Sequence, residues 1–382
     1  MASIARHLMS WGTGSDSVGG RPLRTVLSAA GLRTAGVTGP AAFAAAIRRL
    51  TDYPAGATNE VAVLVPVDDR EPIAAQLLDS RVEIVGYDGD FTDAADEIAV
   101  GDDFFLQCQS YAVTPFMSVI GPTLVRIDGI EDFEAFLTDA DVAHESGEFA
   151  EHTRHPLIQL ADLPALRGPA QRGSGQEGSA QSSDPARRIF VAADGALSTS
   201  PSGAVLGSFG DPLETVLSSW QQLQPADPAA ADPVPLHRAL PEPVRLTDLR
   251  DRPWLPRYLT VLDALRHANQ LGHPDTAVAG FGESADVAFS RSVADPALPV
   301  LLAGDDVNLV HDPLSGKTFA VSADTARLVG VLSVAGEEEQ AVALAQSALQ
   351  VAEPQVRHGL RAVVARFPAL APAGTAWTGM PS

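Results

Sequence analysis

Cysteine and lysine are each present once in this chain, as Cys108 and Lys317. A lone thiol excludes an internal disulfide, a Cys-rich zinc site and a cluster held by several thiolates, and it fits a reducing compartment. Basic side chains are scarce as a class, with Lys+Arg at 26 against Asp+Glu at 48 and a formal net charge of -22. Such a surface repels phosphate backbones and anionic head groups, so neither nucleic acid nor a membrane is expected as a partner. No run of about 18 apolar residues occurs, and the opening MASIARHLMSWGTGSDS has no apolar stretch long enough for a signal peptide. The expectation is a cytoplasmic protein. Aromatic residues make up only 6% against 45% hydrophobic, which leaves Ala, Val and Leu to fill the cores. Arg holds nearly every basic position, a coding bias of the host. No G-x-S-x-G elbow, Walker loop or H-E-x-x-H occurs.

At 382 residues the chain is too long for one ordinary core, and two or three domains are expected. Two stretches rich in Gly, Ser and Pro are too polar to bury apolar area: GPAQRGSGQEGSAQSSDPA from Gly168 and QPADPAAADPVP from Gln224. They divide the chain into an α/β domain over 1–167, a linker over 168–187, a small β-meander with a helix over 188–223 and a second linker over 224–242. A helical connecting segment over 243–298, a compact module over 299–368 and a tail over 369–382 complete it. In the first part VAVLVPV, VEIVGYDG and TLVRIDG read as strands, while PIAAQLLDS, FTDAADEIA and IEDFEAFLTDADVAH read as helices. Ile130, Phe133, Phe136 and Leu137 form the apolar face of the last. This alternation predicts an α/β layer with a partly parallel sheet. The fold class expected is therefore α+β and α/β multidomain: an N-terminal α/β layer, a β-rich middle part and a C-terminal winged-helix-like βββααα module.

That last module carries the functional signal. PVLLAG, VNLVHD and KTFAVS are three short strands, and three helices follow: ADTARLVGVLSV, EEEQAVALAQSALQ with its acidic start, and PQVRHGLRAVVARF with Val356, Leu360, Val363, Val364 and Phe367 on one stripe. From Val300 to Phe367 eight carboxylates face five Lys or Arg, which disfavours the DNA role of many winged helices. A strand with a free edge offers unpaired N–H and C=O groups that an extended peptide can satisfy, with side-chain pockets at alternate positions supplying selectivity. KTFAVS is the candidate edge. The expected peptide-binding residues are Lys317, Thr318, Phe319, Ala320 and Val321 on the strand and Arg357, Leu360, Arg361 and Val364 on the last helix, with Arg366 extending its basic side. The plainer possibility is that the apolar members are core and the arginines a solvated face.

The segment VNLVHDPLSGKTFAVSADTARLVGVLSVAGEEEQAVALAQ resembles the PqqD-type recognition element of ribosomally made peptide natural-product pathways. Gly316, Phe319, Val321, Ser322, Ala326 and Leu328 occupy that family's places for a turn with Gly, a strand ending in a hydroxyl residue and an Ala-rich helix. The resemblance implies a RiPP recognition element, in which a precursor's leader peptide adds to the third strand and packs against the third helix. DDFFLQCQSYAV, GPTLVRIDGIEDFEAFLTDADVA, DGALSTSPSGAVLG and AVAGFGESADV look like stand-alone recognition proteins of daptide-type pathways. That likeness implies a non-catalytic protein that presents the precursor to a dehydrogenase, an aminotransferase and a methyltransferase, with no cofactor of its own.

Other constellations are weaker. Gly280, Gly282 and Ala285 fit G-x-G-x-x-A after a short strand, the basis of an alternative reading as a nucleotide-dependent oxidoreductase or transferase. Pro296 and Pro299 interrupt the interval where a phosphate-facing helix should return. A winged-helix transcription regulator is a third reading. His144, His152 and His155 with Glu145, Glu148 and Glu151 lack the paired helical spacing of a zinc hydrolase, so no metal site is expected. Asp102 and Asp103 before Phe104 read as solvent-exposed acids, and Cys108 in FFLQCQSYAV reads as a small buried hydrophobe.

Overall fold

The structure, a computed structural model, describes residues 104–127, 129–160, 247–281 and 295–372 without interruption. Shorter pieces at 25–29, 61–66, 82–89, 95–100, 188–191, 196–198 and 205–208, and scattered positions between 71 and 222, complete the described residues. Helices and mixed sheets make an α+β protein of two compact units, residues 1–136 with 157–248 and residues 137–156 with 249–382.

The first unit holds β1 (Thr25–Ala29), β2 (Val61–Pro66), β3 (Val82–Tyr87), β4 (Ala95–Val100), β5 (Phe104–Ser110) and β6 (Thr123–Arg126). Helix α1 (Ile130–Ser146) follows, with the unit boundary inside it; then come β7 (Ile158–Leu160), β8 (Arg188–Val191), β9 (Ala196–Ser198) and β10 (Gly207–Ser208). One sheet runs β10-β9-β8-β1-β2-β3, with β8, β1, β2 and β3 parallel. The continuous β-branched run of β2 suits its place between two parallel neighbours. β8, β9 and β10 form the expected meander, yet β8 pairs with β1, so it extends the N-terminal sheet and does not stand apart as a part of its own.

A second sheet runs β4-β5-β6-β7, antiparallel at β4 and parallel thereafter. Here the helix expected in FTDAADEIA is corrected, because ADEIAV is strand β4. Glu97 is exposed and Ile98 fully buried opposite Leu106, a period of two that pairing with β5 imposes over the helix propensity of Ala and Glu. Along α1, Phe133, Phe136, Leu137 and Ala140 are buried at helical spacing, but Ile130, expected on that face, is 48% exposed. The helix expected in PIAAQLLDS lies largely outside the described residues, as do both linkers and the end of the tail.

The second unit holds α2 (Leu255–Gln270), β11 (Ala277–Val278), β12 (Val300–Ala303), β13 (Asn308–Asp312), β14 (Lys317–Val321), α3 (Ala323–Val334), α4 (Glu338–Leu349) and α5 (Glu353–Arg366). Leu137–Pro156, expected in the first domain, belong with this unit. Arg266 Nε of α2 donates to Thr153 O at 2.9 Å, and Arg252 clasps Asp141 through two bonds of 2.8 and 2.7 Å. α2 is buried almost all round, as a helix covered on several sides must be. It stops at Gly272, whose φ of 86° is available to glycine at little cost.

β11 to β14 form an antiparallel sheet in chain order. The pleat sorts its side chains. Leu301, Val310 and Phe319 lie in register and pack into the core shared with α3, α4 and α5. On the other face His311 meets His267 of α2, with ring centroids 5.0 Å apart. Ser322 caps α3, its Oγ accepting from Thr325 N at 3.2 Å. α5 lies so close to α3 that a Cβ on Gly359 would come 2.9 Å from Leu328 Cδ1. The stripe expected on α5, namely Val356, Leu360, Val363, Val364 and Phe367, is buried throughout.

Candidate functional site

The hairpin from β13 to β14 turns through Pro313–Gly316. Asp312 Oδ2 accepts from Ser315 Oγ at 2.6 Å, Gly316 N donates to Asp312 O at 2.8 Å, and Gly316 takes a φ of 64°. This turn delivers Lys317 to the start of β14. Among the described residues β13 is the only strand paired with β14, so β14 is the edge of its sheet. Alternate N–H and C=O groups of such a strand point away from its one neighbour. Lys317 and Ala320 are exposed, and Thr318, Phe319 and Val321 half-buried. Lys317 has no ion-pair partner among the described residues.

Each face of β14 is anchored from behind. Phe319 and Val321 pack on the core. The Phe319 ring meets Phe367 edge-on at 6.0 Å, and the Arg366 guanidinium lies over it, 4.2 Å from the centroid. On the opposite face Thr318 Oγ1 lies 3.0 Å from His311 Nδ1. His311 is 2% exposed; burial, followed by its neighbour His267, pushes its pKa down to about 4. It is therefore neutral near pH 7. Held on both faces, β14 would lose little further conformational freedom on covering its edge, which is unpaired among the described residues.

The last helix contributes less than its sequence promises. Arg357 Nη1 reaches Glu338 at 2.9 Å, its Nη2 reaches both oxygens of Glu339 at 2.8 Å and its Nε reaches Glu353 at 2.8 Å. These hydrogen bonds, first those donated to Glu339 and then that donated to Glu353, hold its pKa above the usual arginine value. Arg357 thus ties the start of α4 to α5. Leu360 is 0% and Val364 3% exposed, both inside the core and out of reach of a peptide. Arg361 is exposed with no ion-pair partner among the described residues. At about 100° per residue it follows Arg357 on the flank toward α4, whereas Arg366 comes out on the flank toward Phe319. The residues that border the open edge are Lys317, Thr318, Phe319, Ala320, Val321 and Arg366. The stacking of Arg366 on Phe319 had no signal in the sequence, because the two lie on different elements.

Elsewhere, Gly280 has a φ of 89° after β11, but β11 runs antiparallel to β12, where a dinucleotide βαβ unit has parallel strands. Gly282 and Ala285 lie outside the described residues. His144 stacks on Trp254 at 4.1 Å, while His152 Nε2 sits 3.5 Å from Asp139. Burial lowers the pKa of both histidines. Among the described residues no three His, Cys, Asp or Glu side chains gather as a metal ion requires. Cys108 is buried in β5, and no helix of the described residues is long and apolar enough to cross a membrane. Compared with family models, with curated proteins and with solved structures, the chain finds no match.

Proposed function

We propose that this protein recognises the leader region of a ribosomally made precursor peptide by adding it as a fifth strand to the sheet at β14. The order βββααα of β12–β14 and α3–α5 is compatible with a winged-helix-like module of the PqqD type. The observation that carries the reading is that, among the described residues, β14 is an edge strand and Lys317 at its start has no ion-pair partner. Backbone hydrogen bonds along the edge supply affinity that depends little on sequence, and side chains at alternate positions supply selectivity. Lys317 and Arg366 favour an acidic leader. Phe319 backs the edge with apolar surface.

The chain acts without a catalytic group or cofactor of its own in this reading. It holds the precursor near separate modifying enzymes of a daptide-type pathway, a dehydrogenase, an aminotransferase and a methyltransferase, and so raises the effective concentration of their substrate. The test is fluorescence anisotropy of the full chain with the leader of the neighbouring precursor, unmodified and with N-methyl groups on alternate residues. N-methylation removes donors in one register. Strand addition requires that methylation of one set of alternate residues abolishes binding while methylation of the other leaves it nearly intact. Equal affinity for both methylated peptides, or no binding of the unmodified one, overturns the proposal.

A further inference from the structure

In the first unit, the connection from β5 to β6 is unusual for what it exposes. Residues 111–122, YAVTPFMSVIGP, contain no charged side chain although the chain is 19% charged. Within five positions Phe116 is 86%, Met117 42% and Ile120 66% exposed. Single exposed apolar residues are ordinary, but a contiguous group of them marks an interaction surface.

The loop is also built to stay in one conformation. Gln107, itself 6% exposed, accepts from Ile120 N at 3.0 Å through Oε1 and donates to Ser118 O at 3.3 Å through Nε2. At the other end Asp132, also 6% exposed, accepts from Ala112 N at 2.8 Å, and Thr114 Oγ1 donates to Ser110 O at 2.9 Å. Gly121 lets the chain press on the Phe105 ring, which would lie 2.5 Å from any Cβ there. Two buried side chains therefore hold three apolar ones out in water. Preorganisation of this kind lowers the ordering cost of binding.

We propose that the loop tip of Phe116, Met117 and Ile120 docks into an apolar cleft with a basic rim on one of the modifying enzymes. The choice of occupant comes from charge and size. A loop without Lys or Arg on a chain of net charge -22 gains nothing from an anionic membrane and repels a second copy of itself. Three side chains are a hot spot and fall short of the area a stable homodimer buries. The net charge of -22 of the chain is what favours a basic rim on the partner. The identity of the partner rests on the leader-recognition reading; the loop and its rigidity do not.

The experiment titrates purified full chain with each of the dehydrogenase, aminotransferase and methyltransferase by calorimetry, and separately with the leader peptide. Phe116→Ser with Ile120→Ser, both exposed and outside the core, should leave the circular dichroism unchanged. It should weaken one enzyme's binding about thirtyfold or more, as loss of a hot spot does, with leader affinity unaltered. Unaltered enzyme binding in this variant, or no complex with any of the three, overturns the proposal. A dimer in the wild type that the variant loses assigns the loop to a second copy; loss of sedimentation with phosphatidylglycerol vesicles assigns it to membrane. Either result overturns it too. Failure of the leader titration alone overturns the recognition reading and leaves the docking result to be read by itself.

Discussion

Strands β13 and β14 are each five residues long and lie side by side in one sheet, yet they differ sharply in burial. In β13, Leu309, Val310 and His311 are 1%, 0% and 2% exposed, whereas no residue of β14 is buried. Composition does not explain this, since KTFAV is no more polar than NLVHD. Neighbours do: among the described residues β13 has a strand on each side, and β14 has one only. A central strand commits its side chains to stability, and an edge strand keeps its backbone available for a partner. The same division appears on α5, where Arg357 is consumed by three carboxylates and Arg361 is left to solvent.

The contrast can be broken most severely in the centre. Val310→Asp puts an unpaired carboxylate among apolar neighbours and should cost about 4 kcal/mol, read as an early urea transition of the second unit. Recovery of the wild-type midpoint would mean that β13 is not a core strand. His311 gives a graded version of the same test. Its folded pKa, about 4, lies below the ordinary histidine value of 6.5, so the unfolded state binds the proton more readily. Its contribution to stability is therefore complete above about pH 6.5 and is lost as pH falls toward 4. His311→Gln should flatten that part of the pH–stability curve, and an unchanged slope would place the titration elsewhere. The edge should respond least in stability. Lys317→Glu is expected to shift folding by less than about 0.5 kcal/mol, yet to weaken an acidic leader measurably in anisotropy, while Arg361→Glu should change neither. Equal losses from both substitutions would return Arg361 to the site and contradict the separation of the two flanks of α5.

Much of the second unit is legible in its sequence. Three runs with strand chemistry, punctuated by Asp305-Asp306 and by Pro313–Gly316, are strands, and the stripe on α5 faces the core as its spacing requires. The misreadings have physical causes. ADEIAV carries good helix formers, but its pairing with β5 decides its conformation, and pairing is long-range. Ile130 fits a helical stripe yet lies at the helix start, where it stays 48% exposed. The meander of β8–β10 has the expected turns, while its union with β1 depends on a strand far upstream.

For the candidate site the division is similar. The amino-acid sequence on its own determined where β14 begins, that Gly316 makes the turn before it, and that one lysine would stand at its head, because turn chemistry and alternation act over a few residues. Tertiary structure alone decided that β14 has a single strand neighbour among the described residues, that Leu360 and Val364 are sealed in the core, that Arg357 is bound by Glu338, Glu339 and Glu353, and that Arg366 lies on Phe319. Burial and ion pairing are properties of what surrounds a residue, and those surroundings are assembled from segments distant along the chain.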